Sequence, residues 1–157
     1  MNAAIPPLTS SAAGSTLTGA EIVVQVLADE GVDVIFGYSG GAILPTYDAV
    51  FRYNNLHRDE QDIDPMPLIV PANEQAAGFM AAGYARASGK VGVCLVTSGP
   101  GATNTVTPVR DCMADSIPIV VICGQVPTAA IGSDGFQEAP VSTVMGSAAK
   151  QVFMVTD

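Results

Sequence analysis

Side chains able to do chemistry are scarce in this sequence, and the one that stands out is Glu74. It is the only charged residue of the run PANEQAAGFMAAGYA, and the next charge is Arg86. Asn73 has the side chain of a helix N-cap, which would put Glu74 in the first turn of the helix that follows. Gly78, Ala81, Ala82 and Ala85 recur at the spacing that places them on the face of Glu74. Such small residues let another backbone approach closely. Phe79, Met80 and Tyr84 point in other directions, so the helix reads as apolar nearly all round and buried. A carboxyl at the mouth of a buried helix has two readings. It can complement the helix dipole and cap its own amides, or it can be a desolvated acid that awaits a hydrogen-bonding ligand.

Two glycine-rich turns accompany it, Gly37-Tyr38-Ser39-Gly40-Gly41-Ala42 and Thr97-Ser98-Gly99-Pro100-Gly101-Ala102-Thr103-Asn104. Turns of this kind bring backbone amides close to a ligand, although their glycines can equally just permit a tight bend. The elements that must position them follow from the pattern of the chain. Thr18-x-x-Glu21 is a capping box that opens a helix to about Glu30, ended by Gly31. Val32–Phe36 reads as a strand, Leu44–Tyr53 as a helix, and Asn54–Met66 as a polar loop that leaves His57 on the surface. Pro67–Val70 is a second strand leading into the Glu74 helix, which Gly89 stops. Val91–Val96 is a third strand, and the second glycine turn feeds one helix to about Ser116. Ile117–Cys123 is the fourth and most apolar strand. An irregular segment, Gly124–Glu138, precedes a helix over Val141–Lys150 and a fifth strand over Gln151–Val155. Helices alternating with short apolar strands predict an α/β fold, a parallel sheet with helices on both faces. Ligands in such sheets bind beyond the carboxyl ends of the strands. Both glycine turns, the Val70–Glu74 turn and the Gly124 segment fall at that edge.

Composition narrows the classes. A chain of 157 residues with 48% hydrophobic content is one domain with a sizeable core. The net charge of −9 excludes a nucleic-acid or anionic-lipid footprint. No apolar run approaches the roughly 20 residues of a membrane helix. Residues 1–17 lack the basic start of a signal peptide and read as a flexible tail. Cys94, Cys112 and Cys123 lack metal or redox spacing and read as free buried thiols, which points to a reducing, cytoplasmic setting. Gly99-x-Gly101 fails as a dinucleotide motif, because Asn104 replaces the third glycine and no ribose-binding acid follows Cys123. A P-loop and a nucleophile elbow are absent, and a single histidine argues against a hydrolase triad. A lone carboxyl beside glycine turns implies that a cofactor carries the hard chemistry.

The runs FGYSGGAILPTYDAV, NEQAAGFMAAGYARASGKVGVCLVTSGPGATN and DSIPIVVICGQVPTAAIGSDGFQEA closely resemble the large catalytic subunits of the acetolactate synthase (acetohydroxyacid synthase) family. The likeness runs from about Thr18 to Asp157 and covers most of the N-terminal pyrimidine-binding domain of those thiamine-diphosphate enzymes. NEQAA and SGPGATN recur more widely among thiamine-diphosphate enzymes; GQVPTAAIGSDGFQEA is narrower. By this resemblance Glu74 is the catalytic acid that hydrogen-bonds the aminopyrimidine ring of thiamine diphosphate and favours its imino tautomer. The ylide that results attacks pyruvate, carbon dioxide leaves, and the two-carbon unit joins a second 2-keto acid, pyruvate or 2-ketobutyrate. That is the first common step of valine, leucine and isoleucine biosynthesis. The resemblance also implies that Tyr38, Thr97, Pro100 and Asn104 line the pyrimidine side, with Gly41, Phe136 and Gln137 near the reacting carbons. From the residues alone, Phe136 reads equally as core packing and Asn104 as a helix-turn hydrogen bond.

The sequence departs from the family pattern at Ser39, where Pro is usual, at Asn73, where His is usual, and over APVSTVMGSAAK. The family holds Mg²⁺ through Gly-Asp-Gly and a later Asn in a separate diphosphate-binding domain. Ser133-Asp134-Gly135 is superficially similar but no Asn follows it, so no metal ligands are assigned. The expected organisation is a tail over 1–17 and an incomplete pyrimidine domain over 18–157, with the diphosphate-binding and FAD-site domains absent and the chain inactive alone. Expected partners are a second copy, in a homodimer or homotetramer packed through the Gly78–Ala85 face, and a regulatory subunit. The alternatives are the pyrimidine subunit of a two-chain 2-keto-acid decarboxylase such as sulfopyruvate decarboxylase, or a non-catalytic α/β interaction module.

Overall fold

A computed structural model describes residues 16–58 and 65–156. The flexible tail expected over 1–17 lies outside the described residues except for Thr16 and Leu17, which are exposed. The capping box forms at the start of α1 (Gly19–Asp29). Thr18 Oγ1 accepts from the Glu21 amide at 3.3 Å, and the Glu21 carboxylate accepts from the Thr18 amide at 2.8 Å. Val24, Leu27 and Ala28 form its buried face. Strand β1 is Ile35–Tyr38, three residues later than the sequence suggests. The helix exit explains the delay: Gly31 takes φ +74°, and the amides of Gly31 and Val32 close back onto Ala28 and Leu27 carbonyls. The chain enters the sheet only at Ile35, whose amide bonds Pro67 O at 2.9 Å.

A short 3₁₀ turn, Gly41–Ile43, leads into α2 (Leu44–Leu56), and β2 is reduced to Leu68–Ile69. His57 caps α2 with its ring 4.6 Å from that of Tyr53, half-buried, so it is not the plain surface residue expected. Helix α3 is Glu74–Ser88, ended as expected by Gly89 at φ +72°. After β3 (Gly92–Val96), the one helix expected divides into α4 (Pro100–Thr103) and α5 (Val106–Asp115). Pro108 has no amide to donate to the Asn104 carbonyl, and the buried Thr105 hydroxyl donates to Ala102 O at 2.7 Å. Strand β4 is Ile119–Cys123, and α6 runs only over Val141–Gly146.

The sheet order is β2-β1-β3-β4, every pair parallel. Helices α1 and α2 cover one face, around Ile35, Ile43, Val50, Val93 and Leu95. On the other, Ala77 and Ala81 of α3 pack on Phe36, Cys94 and Val96. The α/β architecture with helices on both faces is therefore the one expected. Strand β4, the most apolar, is nevertheless an edge, with Val120 45% exposed. The expected fifth strand over Gln151–Val155 does not form. Val152 packs on the Val109–Met145–Ala148 cluster, while Phe153 and Val155 stand in solvent and make no ladder with β4.

Helix α3 also differs from its expected surroundings. Phe79 and Met80 are exposed, so the helix is buried on one side only. Its small-residue face is occupied within the chain: a side chain at Gly78 would sit 2.5 Å from Pro108 Cγ of α5, and β3 lies against Ala81 at Gly92. That face is not available to a second copy. Arg86 ties the two helices further, reaching Asp111 and Asp115 at 2.8 Å each.

Candidate functional site

The two glycine turns and the Gly124 segment meet above the carboxyl ends of β1, β3 and β4. Thr97, 3% exposed, is where they join: its Oγ1 accepts from the Ala42 amide at 3.3 Å. A side chain at Gly40 would lie 2.5 Å from Thr97 Cβ, and one at Gly101 would lie 2.7 Å from Thr97 Cγ2. Gly99, at φ +44°, abuts the Gln137 carbonyl, and Gly124 abuts the Ala42 backbone. The glycines thus let the turns pack against one another, in addition to permitting the bends.

Glu74 sits at the centre of this rim and is 8% exposed. The capping role falls to its neighbour, since Asn73 Oδ1 accepts from the Ala76 amide at 2.8 Å. Glu74 is therefore not needed as the cap, and its carboxyl meets α4 instead: Asn104 Nδ2 donates to Glu74 Oε2 at 2.8 Å. The other oxygen, Oε1, faces Gly101, where even a methyl carbon would stop 3.7 Å short of it. Burial pushes up the phenol of Tyr47, whose hydroxyl donates to Leu95 O at 3.2 Å beneath the rim. A polar cleft lined by Asn73, Gln75, Thr103, Asn104 and Thr107 opens alongside. A carboxyl with one oxygen fixed by a neutral amide and the other beside a glycine can accept or exchange a proton with a ligand at the rim.

Of the residues singled out from the sequence, Glu74 and Asn104 are in direct contact, and Thr97 braces the turn that carries Gly41. The Asn104 side chain bridges to α3, so it is more than a local turn hydrogen bond. Tyr38 ends β1 half-buried, and Pro100 opens α4 exposed. Phe136 is 90% exposed, which removes core packing as its explanation, and Gln137 adopts φ +55° at Gly99. Sequence reasoning passed over Glu138, whose carboxylate accepts from the Gly132 amide and from the Gly135 amide at 3.0 Å. The signal was its position three residues after Gly135 and six after Gly132. Among the described residues no three His, Cys, Asp or Glu side chains converge as a metal site.

A parallel sheet with a shielded carboxyl and interlocked glycine turns over its strand ends is an α/β ligand-binding domain. Residues 17–145 match the thiamine pyrophosphate enzyme N-terminal TPP binding domain, and the chain belongs to that family. Over 139 residues it is 53% identical to the mitochondrial acetolactate synthase catalytic subunit of Saccharomyces cerevisiae, covering 88% of this chain and 19% of that protein. It is 48% identical to acetolactate synthase of Mycobacterium bovis (88% of this chain, 21% of the relative). With the large subunit of Corynebacterium glutamicum it shares 42% identity over 147 residues, 94% of this chain and 22% of the relative. The chain thus spans about a fifth of the length of these relatives.

Proposed function

We propose that this chain is the pyrimidine-binding portion of a thiamine-diphosphate-dependent acetolactate synthase. The reaction would decarboxylate pyruvate and join the two-carbon unit to pyruvate or 2-ketobutyrate. The observation that carries this reading is the Asn104–Glu74 hydrogen bond at the start of α3, which leaves Glu74 Oε1 on the side of the glycine turns. The donor set fits an aminopyrimidine, a ring that needs a carboxyl partner for its nitrogen. Thiamine diphosphate, when bound, supplies an acidic thiazolium carbon that becomes the nucleophile toward a 2-keto acid. Glu74 holds and exchanges the proton of the ring nitrogen, and Asn104 keeps its carboxyl oriented while it does so. Tyr38, Thr97 and Pro100 supply the walls of the pyrimidine side; Gly41, Phe136 and Gln137 supply the side of the reacting carbons.

Mg²⁺ and FAD would be held by other parts of the complete protein. Assembly as a homodimer or homotetramer would use the exposed Phe79–Met80 side of α3, since the small-residue face is filled by α5. A regulatory subunit remains part of the proposal. Three free thiols suit a reducing compartment such as the cytoplasm, and no helix among the described residues is long and apolar enough to cross a membrane.

The test is Glu74→Gln in the complete protein. Proton exchange at C2 of bound thiamine diphosphate, followed by NMR, should slow by about 100-fold or more, while calorimetry finds cofactor affinity reduced far less. An unchanged exchange rate would remove Glu74 from the mechanism. Failure of the unmodified protein to bind the cofactor would leave a non-catalytic α/β module.

A further inference from the structure

The segment after β4 contains an arrangement that the cofactor reading does not use. Between Gly132 and Glu138 the backbone turns three times through positive φ, at Gly132 (+84°), Asp134 (+55°) and Gln137 (+55°). Two of these residues carry side chains; Asp visits that region readily, whereas Gln seldom does unless its surroundings hold it there. The holding group is the Glu138 carboxylate. One oxygen accepts from the Gly132 amide and the other from the Gly135 amide at 3.0 Å. The Glu138 amide in turn donates to Gly135 O at 3.0 Å, and the Ser133 hydroxyl donates to Ala130 O at 2.7 Å. Two backbone amides closed on an internal carboxylate form an anion nest filled by the chain itself.

What the nest holds in place is the rim. Gln137, the last turned residue before Glu138, rests its carbonyl against Gly99 of the second glycine turn. Phe136, one residue earlier, is held outward with its ring 90% exposed. Without the central carboxylate, the Gly132 and Gly135 amides lose their shared acceptor, and the positive φ of Gln137 loses the group that closes the loop around it. The loop would relax, and both the Gln137–Gly99 contact and the placement of Phe136 would go with it.

We propose that Glu138 is a positioning residue: its carboxylate fixes the Gly132–Gln137 loop so that Phe136 and Gln137 are presented to the 2-keto acid side of the site. This rests on the assignment of Phe136 and Gln137 to that side. Glu138 itself touches no substrate; it acts through the loop.

The experiment uses the complete protein with Glu138→Gln and Glu138→Ala, read in two ways. Without any ligand, amide hydrogen exchange of the peptide covering 131–139 should quicken about tenfold or more in both variants as the nest opens, while peptides of β3 and α3 keep their protection. With thiamine diphosphate and pyruvate, the KM for pyruvate should rise about tenfold with kcat changed less, and the cofactor's Kd should stay within about twofold. The unchanged core peptides and cofactor affinity separate this outcome from global misfolding. Unchanged exchange in the 131–139 peptide would overturn the proposal. Faster exchange with an unchanged KM would overturn it too, showing a loop held by Glu138 that takes no part in the site. Failure of the unmodified protein to bind thiamine diphosphate would instead overturn the functional reading, and the ligand-free exchange result would stand apart from it.

Discussion

Helix α3 contains two interior glycines whose surroundings predict opposite responses to the same methyl group. At Gly83 a Cβ meets nothing within 4 Å. Gly83→Ala should therefore return only the helix-propensity gain, about 0.5–1 kcal/mol. At Gly78 the same carbon would lie 2.5 Å from Pro108 Cγ and 2.9 Å from Pro108 Cβ. Carbon atoms rest at about 3.5–4.0 Å, so Gly78→Ala must push α5 away by about 1 Å. Overpacking of this kind costs about 1–3 kcal/mol. The propensity gain is common to both substitutions, so the two variants should differ by that cost, and Gly78→Ala should be the less stable in urea unfolding.

The displacement also reaches the site. Asn104 lies two residues before α5, and its amide is 2.8 Å from Glu74 Oε2. Moving it by about 1 Å carries the pair past hydrogen-bonding range. Calorimetric titration should then show weaker thiamine diphosphate binding by Gly78→Ala than by Gly83→Ala. Equal stability and equal affinity in the two variants would refute the link from packing to site.

Other expectations follow from the same coordinates. The Lys90 hydrogen bond, and after it that of Tyr84, holds the Asp33 carboxyl below the usual carboxylate range. Its stabilising effect is thus fully present above the unfolded value of about 3.9 and is lost as pH falls through the lower folded value. Acid unfolding of Asp33→Asn and the unmodified protein should converge toward low pH; a gap that widens there would contradict the assignment. Because Lys90 and Asp33 are both solvent-exposed, Lys90→Ala should lower the thermal unfolding temperature only slightly near neutral pH. Burial pushes the Cys94 thiol up to about 12 and the Cys123 thiol up to about 11, and it raises Cys112 as well. At pH 8 about one Cys94 in ten thousand is thiolate, so iodoacetamide should label none of the three in the native protein and all three after denaturation, as read by mass spectrometry.

The parts of the fold fixed by neighbouring residues were legible in the chain, and those fixed by distant contacts were not. Thr18 with Glu21, Asn73 with Ala76, and Gly89 are local devices, and each does what its sequence context predicts. The start of β1 was misplaced because the Gly31–Val32 amides are consumed by the helix exit, which periodicity does not register. The break between α4 and α5 needed Pro108 to be weighed against Asn104, four residues earlier. Strand β4 is apolar like a central strand yet lies at the edge, because position in a sheet depends on which strands arrive beside it. At the site, the spacing of Glu74 and the glycine turns indicated a ligand edge, but its partner did not. Asn104 reaches Glu74 only because α3 and α4 converge across 30 residues of sequence. Glu138 escaped notice for a different reason: a carboxylate in a loop ordinarily signals solvent, and only the backbone conformation reveals the two amides that donate to it.

The interlocking of the turns has a consequence for how this surface can vary. Gly40 and Gly101 are shaped around Thr97, Gly99 around Gln137 and Gly124 around Ala42, so a bulkier residue at Gly40, Gly99 or Gly124 disturbs a loop distant in sequence. Substitutions among these positions should compound instead of adding, and swapping one loop alone between homologous proteins should misfit its neighbours. The ring of Phe136, by contrast, faces outward, so a change of size or shape there displaces nothing but solvent.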